Sequence, residues 1–249
     1  MKNACLITVA ALVFILQVPF SQAEFIYAVQ DDVLYQADPN SGTWTALSDT
    51  WAGTELLTFC AGSMYAIQGD GLYEVDRSGS WTSLTDLWTG TVALTGGEGW
   101  LYAAQNDLIY RIDPATGDWE TVPGDYAGTT HLAWARGALM VLQNGYLYRT
   151  DPVTGDFTEL PSSYDGTTAM AGTSDALFVI QGDVLYSVDP RTGDYVSLGG
   201  GYEGATELGA WGNHVYCVWQ GSLWKTNAIT GEYESLGSAW EGTTALCVF

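Results

Sequence analysis

The feature that most restricts this chain is self-similarity at a period of 38 residues. An aromatic that follows an aliphatic recurs as Tyr35, Tyr73, Tyr110, Tyr148, Tyr186 and Trp224. A turn follows each of them. It reads Asp38-Pro39-Asn40-Ser41-Gly42 and returns as Asp113 to Gly117, Asp151 to Gly155 and Asp189 to Gly193. The second copy, Asp76-Arg77-Ser78-Gly79, is one residue shorter and accounts for one interval of 37, and the sixth, Asn227 to Gly231, has lost its proline. Periods of this size mark units that cannot bury their own faces and must stack.

Each repeat sorts into four short strands. In the first complete copy these are Glu55 to Ala61 (A), Met64 to Gln68 (B), Leu72 to Asp76 (C) and Trp81 to Leu84 (D). Strand B is apolar on both faces in most copies, as in Leu139-Met140-Val141-Leu142, so it must lie between two sheets. Gly69-Asp70, Asn106-Asp107, Asn144-Gly145 and Gly182-Asp183 sit between B and C and suit two-residue hairpins. No useful stretch has helical periodicity.

Six such meanders can cover one another by radial stacking. The terminal strands are complementary: the first repeat unit opens at a strand B, Phe25 to Gln30, and the last closes at a strand A, Gly242 to Phe249. The fold class expected is therefore all-β, a six-bladed β-propeller of four-stranded antiparallel blades in which the C-terminal strand pairs with the N-terminal one. An open stack would leave those two strands unexplained. The Leu-Tyr-x-Val-Asp-Pro-x-Thr-Gly pattern resembles the short repeats of the β-propeller superfamily, including YWTD/LY-type and quinoprotein-like repeats. The Tyr-Trp-Thr-Asp core itself is absent, so the resemblance implies the fold and assigns no site residue.

Ahead of the repeats, Lys2, the apolar run Cys5 to Phe20 and Ser21-Gln22-Ala23 form the pattern of a signal peptide, residues 1–23, with cleavage expected after Ala23. The apolar core is shorter than the ~20 residues a membrane span needs. Residues 24–249 are then expected to form one domain, secreted to the periplasm or the exterior, without membrane insertion and monomeric. With 29 acidic residues against 7 basic ones and a net charge of −22, the chain would be repelled by nucleic acid. Cys60, Cys217 and Cys247 read mainly as small buried strand residues. If any two were bridged, Cys60 and Cys247 would be the favoured pair.

The connection from D to A repeats an aromatic and a glycine: Trp51, Trp88, Tyr126, Tyr164, Tyr202 and Trp240, each followed two residues later by Gly. On the same face fall Gln30, Gln68, Gln105, Gln143 and Gln181 at the B–C turns. Aromatic faces beside amides and hydroxyls suit a sugar ring, and six copies suit a clustered glycan. Equally, such a ring can plug the groove between blades and such a glutamine can hold a turn. The function expected is that of an exported, non-enzymatic binding protein of lectin type, with a glycan or a protein as partner. The alternative is a protein-interaction scaffold or assembly factor.

An enzymatic reading rests on His131 and Glu207, which occupy one repeat column near the central channel and would have to meet as an acid/base or metal pair. It would make the chain a lyase or hydrolase working at the channel mouth. No Gly-x-Ser-x-Gly, His-Glu-x-x-His, phosphate-loop or Cys-x-x-Cys motif accompanies them. Calcium is a third possibility, given the acidic excess: the acids near the D–A turns, Asp165, Glu203 and Glu241, could gather oxygen ligands, although they differ between blades and lack the spacing of a calcium loop. No other cofactor is evident, and no residue is assigned to a metal site.

Overall fold

The computed structural model describes residues 25–205 and 207–249. The signal-peptide reading, residues 1–23, lies outside the described residues. The described chain forms 24 strands and no helix. Blade 1 contains β1 (Ile26–Gln30), β2 (Val33–Ala37) and β3 (Trp44–Ser48), and blade 2 contains β4 (Thr54–Cys60), β5 (Ser63–Gln68), β6 (Gly71–Val75) and β7 (Trp81–Asp86). Blade 3 follows with β8 (Thr91–Gly97), β9 (Trp100–Gln105), β10 (Leu108–Ile112) and β11 (Trp119–Thr121), and blade 4 with β12 (Thr129–Ala135), β13 (Ala138–Gln143), β14 (Tyr146–Thr150) and β15 (Phe157–Glu159). Blade 5 has β16 (Thr167–Gly172), β17 (Leu177–Gln181), β18 (Val184–Val188) and β19 (Tyr195–Gly200), and blade 6 has β20 (Glu207–Trp211), β21 (His214–Trp219), β22 (Ser222–Asn227) and β23 (Tyr233–Ser238). The last strand, β24 (Thr243–Val248), returns to blade 1, whose order is β24-β1-β2-β3.

Closure is therefore made by the two ends of the repeat array, as the complementary strands predicted. Ile26 lies opposite Val248 and Ala28 opposite Leu246, all antiparallel. Beyond the ladder, Phe25 and Phe249 exchange backbone hydrogen bonds of 3.1 and 3.3 Å. The inner strands β24, β4, β8, β12, β16 and β20 contact one another in that cyclic order, giving a six-bladed β-propeller.

Six apolar clusters fill the six spaces between blades. Successive side chains of a strand alternate faces, so a strand B apolar on both sides feeds two clusters at once. In β13, Leu139 and Val141 join the cluster shared with blade 3, while Met140 and Leu142 join the one shared with blade 5. Around the outside, the C–D turns clamp each blade to the one before it. Asp151 Oδ1 accepts from the backbone N–H of Val153 at 2.8 Å and Thr154 at 3.2 Å, and Gly155 N–H donates to Asp151 O at 2.9 Å. Those donors hold the Asp151 carboxyl below the usual carboxylate range. Gly155 has a φ of +76°, and a Cβ there would overlap the Pro123 carbonyl oxygen of blade 3. Asn227 replaces the aspartate in blade 6 and accepts the same two bonds, from Ile229 and Thr230.

Among the described residues Cys60, Cys217 and Cys247 are buried free thiols, so the favoured Cys60–Cys247 bridge does not form. Cys247 packs into the cluster between blades 1 and 2. Cys60 points to the opposite face of blade 2, where its thiol lies 3.2 Å from Trp100 O in blade 3. The sheet of blade 2 stands between them.

Candidate binding site

The six loop aromatics are inward plugs. Trp51, Trp88, Tyr126, Tyr164, Tyr202 and Trp240 are only 1 to 6 % exposed, and each belongs to a different one of the six inter-blade clusters. A ring shut into a groove offers no face for a sugar. The glutamines are equally engaged. Gln68 Nε2 donates to Thr50 O and Ala52 O, Gln105 to Leu87 O and Thr89 O, Gln143 to Asp125 O and Ala127 O, and Gln181 to Ser163 O and Asp165 O, all within 2.7 to 3.3 Å. Gln30 makes the same clasp on Ala239 O and Glu241 O. In blade 6, Trp219 takes that place and its Nε1 donates to Glu203 O at 2.7 Å. These side chains hold the loop that enters their own blade.

The central channel is narrowed by one apolar side chain from each inner strand: Leu57, Leu94, Leu132, Met170, Leu208 and Leu246. They occupy one repeat column and line a cavity of about 380 Å³. His131 sits on the outer side of this collar in a shallower recess of about 200 Å³ that does not include Glu207. Side chains in this column face the next blade around, so His131 turns toward blade 5. Its Nδ1 lies 2.9 Å from Thr130 Oγ1, and burial holds its pKa below the ordinary histidine value. Glu207 is pushed up to about 8 by burial alone. No hydrogen bond or ion pair joins the two among the described residues. The acid/base pairing that the sequence allowed is not assembled.

The exposed aromatics lie elsewhere. Trp44, Trp81, Trp119, Phe157, Tyr195 and Tyr233 open the outermost strand of each blade and are 47 to 67 % exposed. Each meets the strand-C aromatic of its own blade at 5.0 to 5.7 Å between centroids, and five of the six pairs stand edge-on at 87 to 90°. In blades 3 to 6 the residue just before the exposed ring is acidic: Asp118, Asp156, Asp194 and Glu232. The outer wall thus carries an aromatic on every blade and a carboxylate beside four of them. The regular spacing of these rings was visible in the sequence. Their exposure depends on strand D having a neighbour on one side only.

No protein-family model and no curated protein sequence matches the chain. Solved structures do match. A chain from the crystal structure of a nidogen/laminin complex superposes with a TM-score of 0.75 at 12 % identity, over 90 % of this chain and 97 % of that one. At that identity the likeness is one of fold, a shared β-propeller. PorZ, a surface component of the type-IX secretion system of Porphyromonas gingivalis, superposes on the same propeller with a TM-score of 0.60 at 15 % identity. That match covers 88 % of this chain and 33 % of PorZ.

Two grooves of the propeller open between the loop aromatics and the outer wall. In blade 4 a recess of about 310 Å³ is bounded by Tyr126, Val141, Gln143, Tyr148, Thr150 and Phe157, with Glu159 at its rim. In blade 5 the equivalent residues, Tyr164, Val179, Gln181, Tyr186, Val188 and Tyr195, bound a smaller one of about 70 Å³. Both blades carry a loop tyrosine where blades 1, 2 and 3 carry the bulkier tryptophans Trp240, Trp51 and Trp88.

Proposed function

We propose that this chain is an exported, non-enzymatic propeller that binds a polypeptide partner on its outer wall, and that the partner is basic. The observation that carries this reading is the column of half-exposed aromatics, one per blade, on convex outer strands. Large rings that stay in water on every repeat are poor choices for solubility and good ones for an interface. The adjacent carboxylates and the net charge of −22 favour lysine and arginine on the other side, through ion pairing and cation–π contact. The signal-peptide pattern supports export. A chain of the nidogen/laminin complex and a third of the PorZ surface component share this fold and lend further support to a role in protein assembly.

Photo-crosslinking tests it. A photoreactive amino acid at position 44, 119 or 233 should give a discrete adduct with a Lys/Arg-rich polypeptide in the producing culture, with a yield that falls as salt is raised. The same group at Asp107, on the loop face, should give none. Adducts of equal yield from position 107, or none from the wall, would remove the proposal.

A glycan is the second reading, and the repetition of the groove in blades 4 and 5 favours it, since equivalent sites on neighbouring blades suit a multivalent ligand. A glycan array probed with the labelled chain tests it, and silence across the array ends it.

A further inference from the structure

The groove of blade 4 contains a buried polar atom with nothing to bond. Thr150 is 1 % exposed and its Oγ1 has no hydrogen-bond partner. Three propeller grooves have a loop tyrosine, and they resolve the matter differently. In blade 6, Tyr202 Oη and Thr226 Oγ1 lie 2.8 Å apart and satisfy one another. In blade 4 the matching phenol, Tyr126, donates instead to Pro123 O at 2.9 Å and leaves Thr150 alone. In blade 5 the threonine is replaced by Val188, and the buried Tyr164 Oη is the atom without a partner.

The other polar groups around Thr150 have already used their protons. Gln143 spends its amide on two carbonyls, Tyr126 its hydroxyl on Pro123 O, and Tyr148 its hydroxyl on Glu159. What remains facing the recess is almost entirely acceptor: Gln143 Oε1, the free carboxylate oxygen of Glu159, phenol lone pairs and the Thr150 hydroxyl. The apolar walls are aromatic. Tyr148 and Phe157 meet at 87° with 5.5 Å between centroids, forming a corner, and Phe157 lies directly opposite Thr150 in the strand register. No lysine or arginine lines the recess.

A surplus of acceptors over donors, a carboxylate rim and an aromatic corner fit a ligand that brings donors and positive charge. We infer that the blade 4 groove is a lysine pocket, which receives the alkylammonium side chain of the partner polypeptide with its head on Thr150, Gln143 and Glu159. Its methylene stem lies along Phe157, Tyr148 and Val141. A sugar would meet too few donors for its own acceptor oxygens. This deepens the reading of the outer wall and rests on it, since Phe157 is one of the exposed wall aromatics.

The test is an NMR titration of the chain with Nα-acetyl-lysine N-methylamide, alongside the norleucine analogue and a methyl glycoside. The lysine probe should shift the Thr150 methyl and Gln143 side-chain resonances saturably at millimolar concentration, while the other two leave them unmoved. Thr150→Val, which installs the residue blade 5 already has, and Glu159→Gln at the exposed rim should each weaken binding by about tenfold, the size expected for one charge-assisted hydrogen bond. Equal binding of the norleucine analogue, shifts with the glycoside, no shift with the lysine probe, or unchanged affinity in both variants would each overturn the pocket. Crosslinks from positions 44 and 233 that persist in the face of such a result would leave the wall reading standing, because neither residue touches the groove.

Discussion

Tyr202 and Thr226 close the groove of blade 6 with a hydroxyl-to-hydroxyl contact of 2.8 Å, and the same two residue types in blade 4, Tyr126 and Thr150, fail to do so. A buried hydroxyl without a partner costs roughly 1–3 kcal/mol. Thr150→Val should therefore raise the stability of the free chain by about 1 kcal/mol, because it removes the orphan and keeps the shape. Thr226→Val should lower it by a similar amount, because it strands the Tyr202 phenol. Thermal melting of the two variants should move in opposite directions, and a fall in both would show that Thr150 is already satisfied.

The glutamine clasps make a second contrast. Gln105 is buried, and its amide serves Leu87 O and Thr89 O at 2.7 and 2.9 Å. Gln105→Ala should cost about 2 kcal/mol, since two loop carbonyls lose their donor. Trp219 makes only one bond of this kind, to Glu203 O. Trp219→Gln should be tolerated within about 1 kcal/mol despite the large change in size, because the replacement can make the clasp used in five other blades. Urea midpoints compare the two directly.

Much of the fold was legible because the constraint was global. Tyr35 and its five counterparts set the period, and Phe25 to Gln30 needed a partner that only the C-terminal strand was left to provide. The site was less legible because orientation is local. A ring before a glycine turn, such as Trp51, is compatible with groove or solvent, and only the spacing of the finished blades decides. The exposure of Trp44 and Trp81 follows only once their strand is known to be outermost. Cys60 and Cys247 share the inner layer, yet alternation along β4 turns Cys60 to the far side of its sheet. The orphaned Thr150 could not be found from its own repeat, since the decisive event is where Tyr126 sends its hydroxyl.

The turn glycines separate two costs that usually come together. Gly155 and Gly166 have nearly the same φ, +76° and +77°. A Cβ at Gly155 would strike the Pro123 carbonyl of the neighbouring blade, whereas one at Gly166 meets nothing within 4 Å. Gly166→Ala should lose only the left-handed backbone penalty of about 1 kcal/mol. Gly155→Ala should lose that and the inter-blade seat as well, about 3 kcal/mol together. Equal losses in denaturant titrations would mean that the C–D turns do not bear on the preceding blade.

Glu207 gives the chain a pH dependence of unusual sign. Burial raises its folded pKa to about 8 from an ordinary 4.5. Between those values the folded protein keeps a proton that the unfolded chain has already released, so raising the pH pulls the equilibrium toward the unfolded side. The stabilisation is whole below about pH 4.5 and is lost progressively as the pH climbs through 8. His131 and His214 are both lowered by burial and act the other way, because the unfolded chain takes up their protons first as the pH falls. The contribution of Glu207 is therefore best read as a difference. Urea midpoints of the parent chain and Glu207→Gln, measured from pH 5 to pH 8.5, should diverge, with the variant gaining on the parent as the pH rises. Parallel profiles would place the Glu207 carboxylate in water.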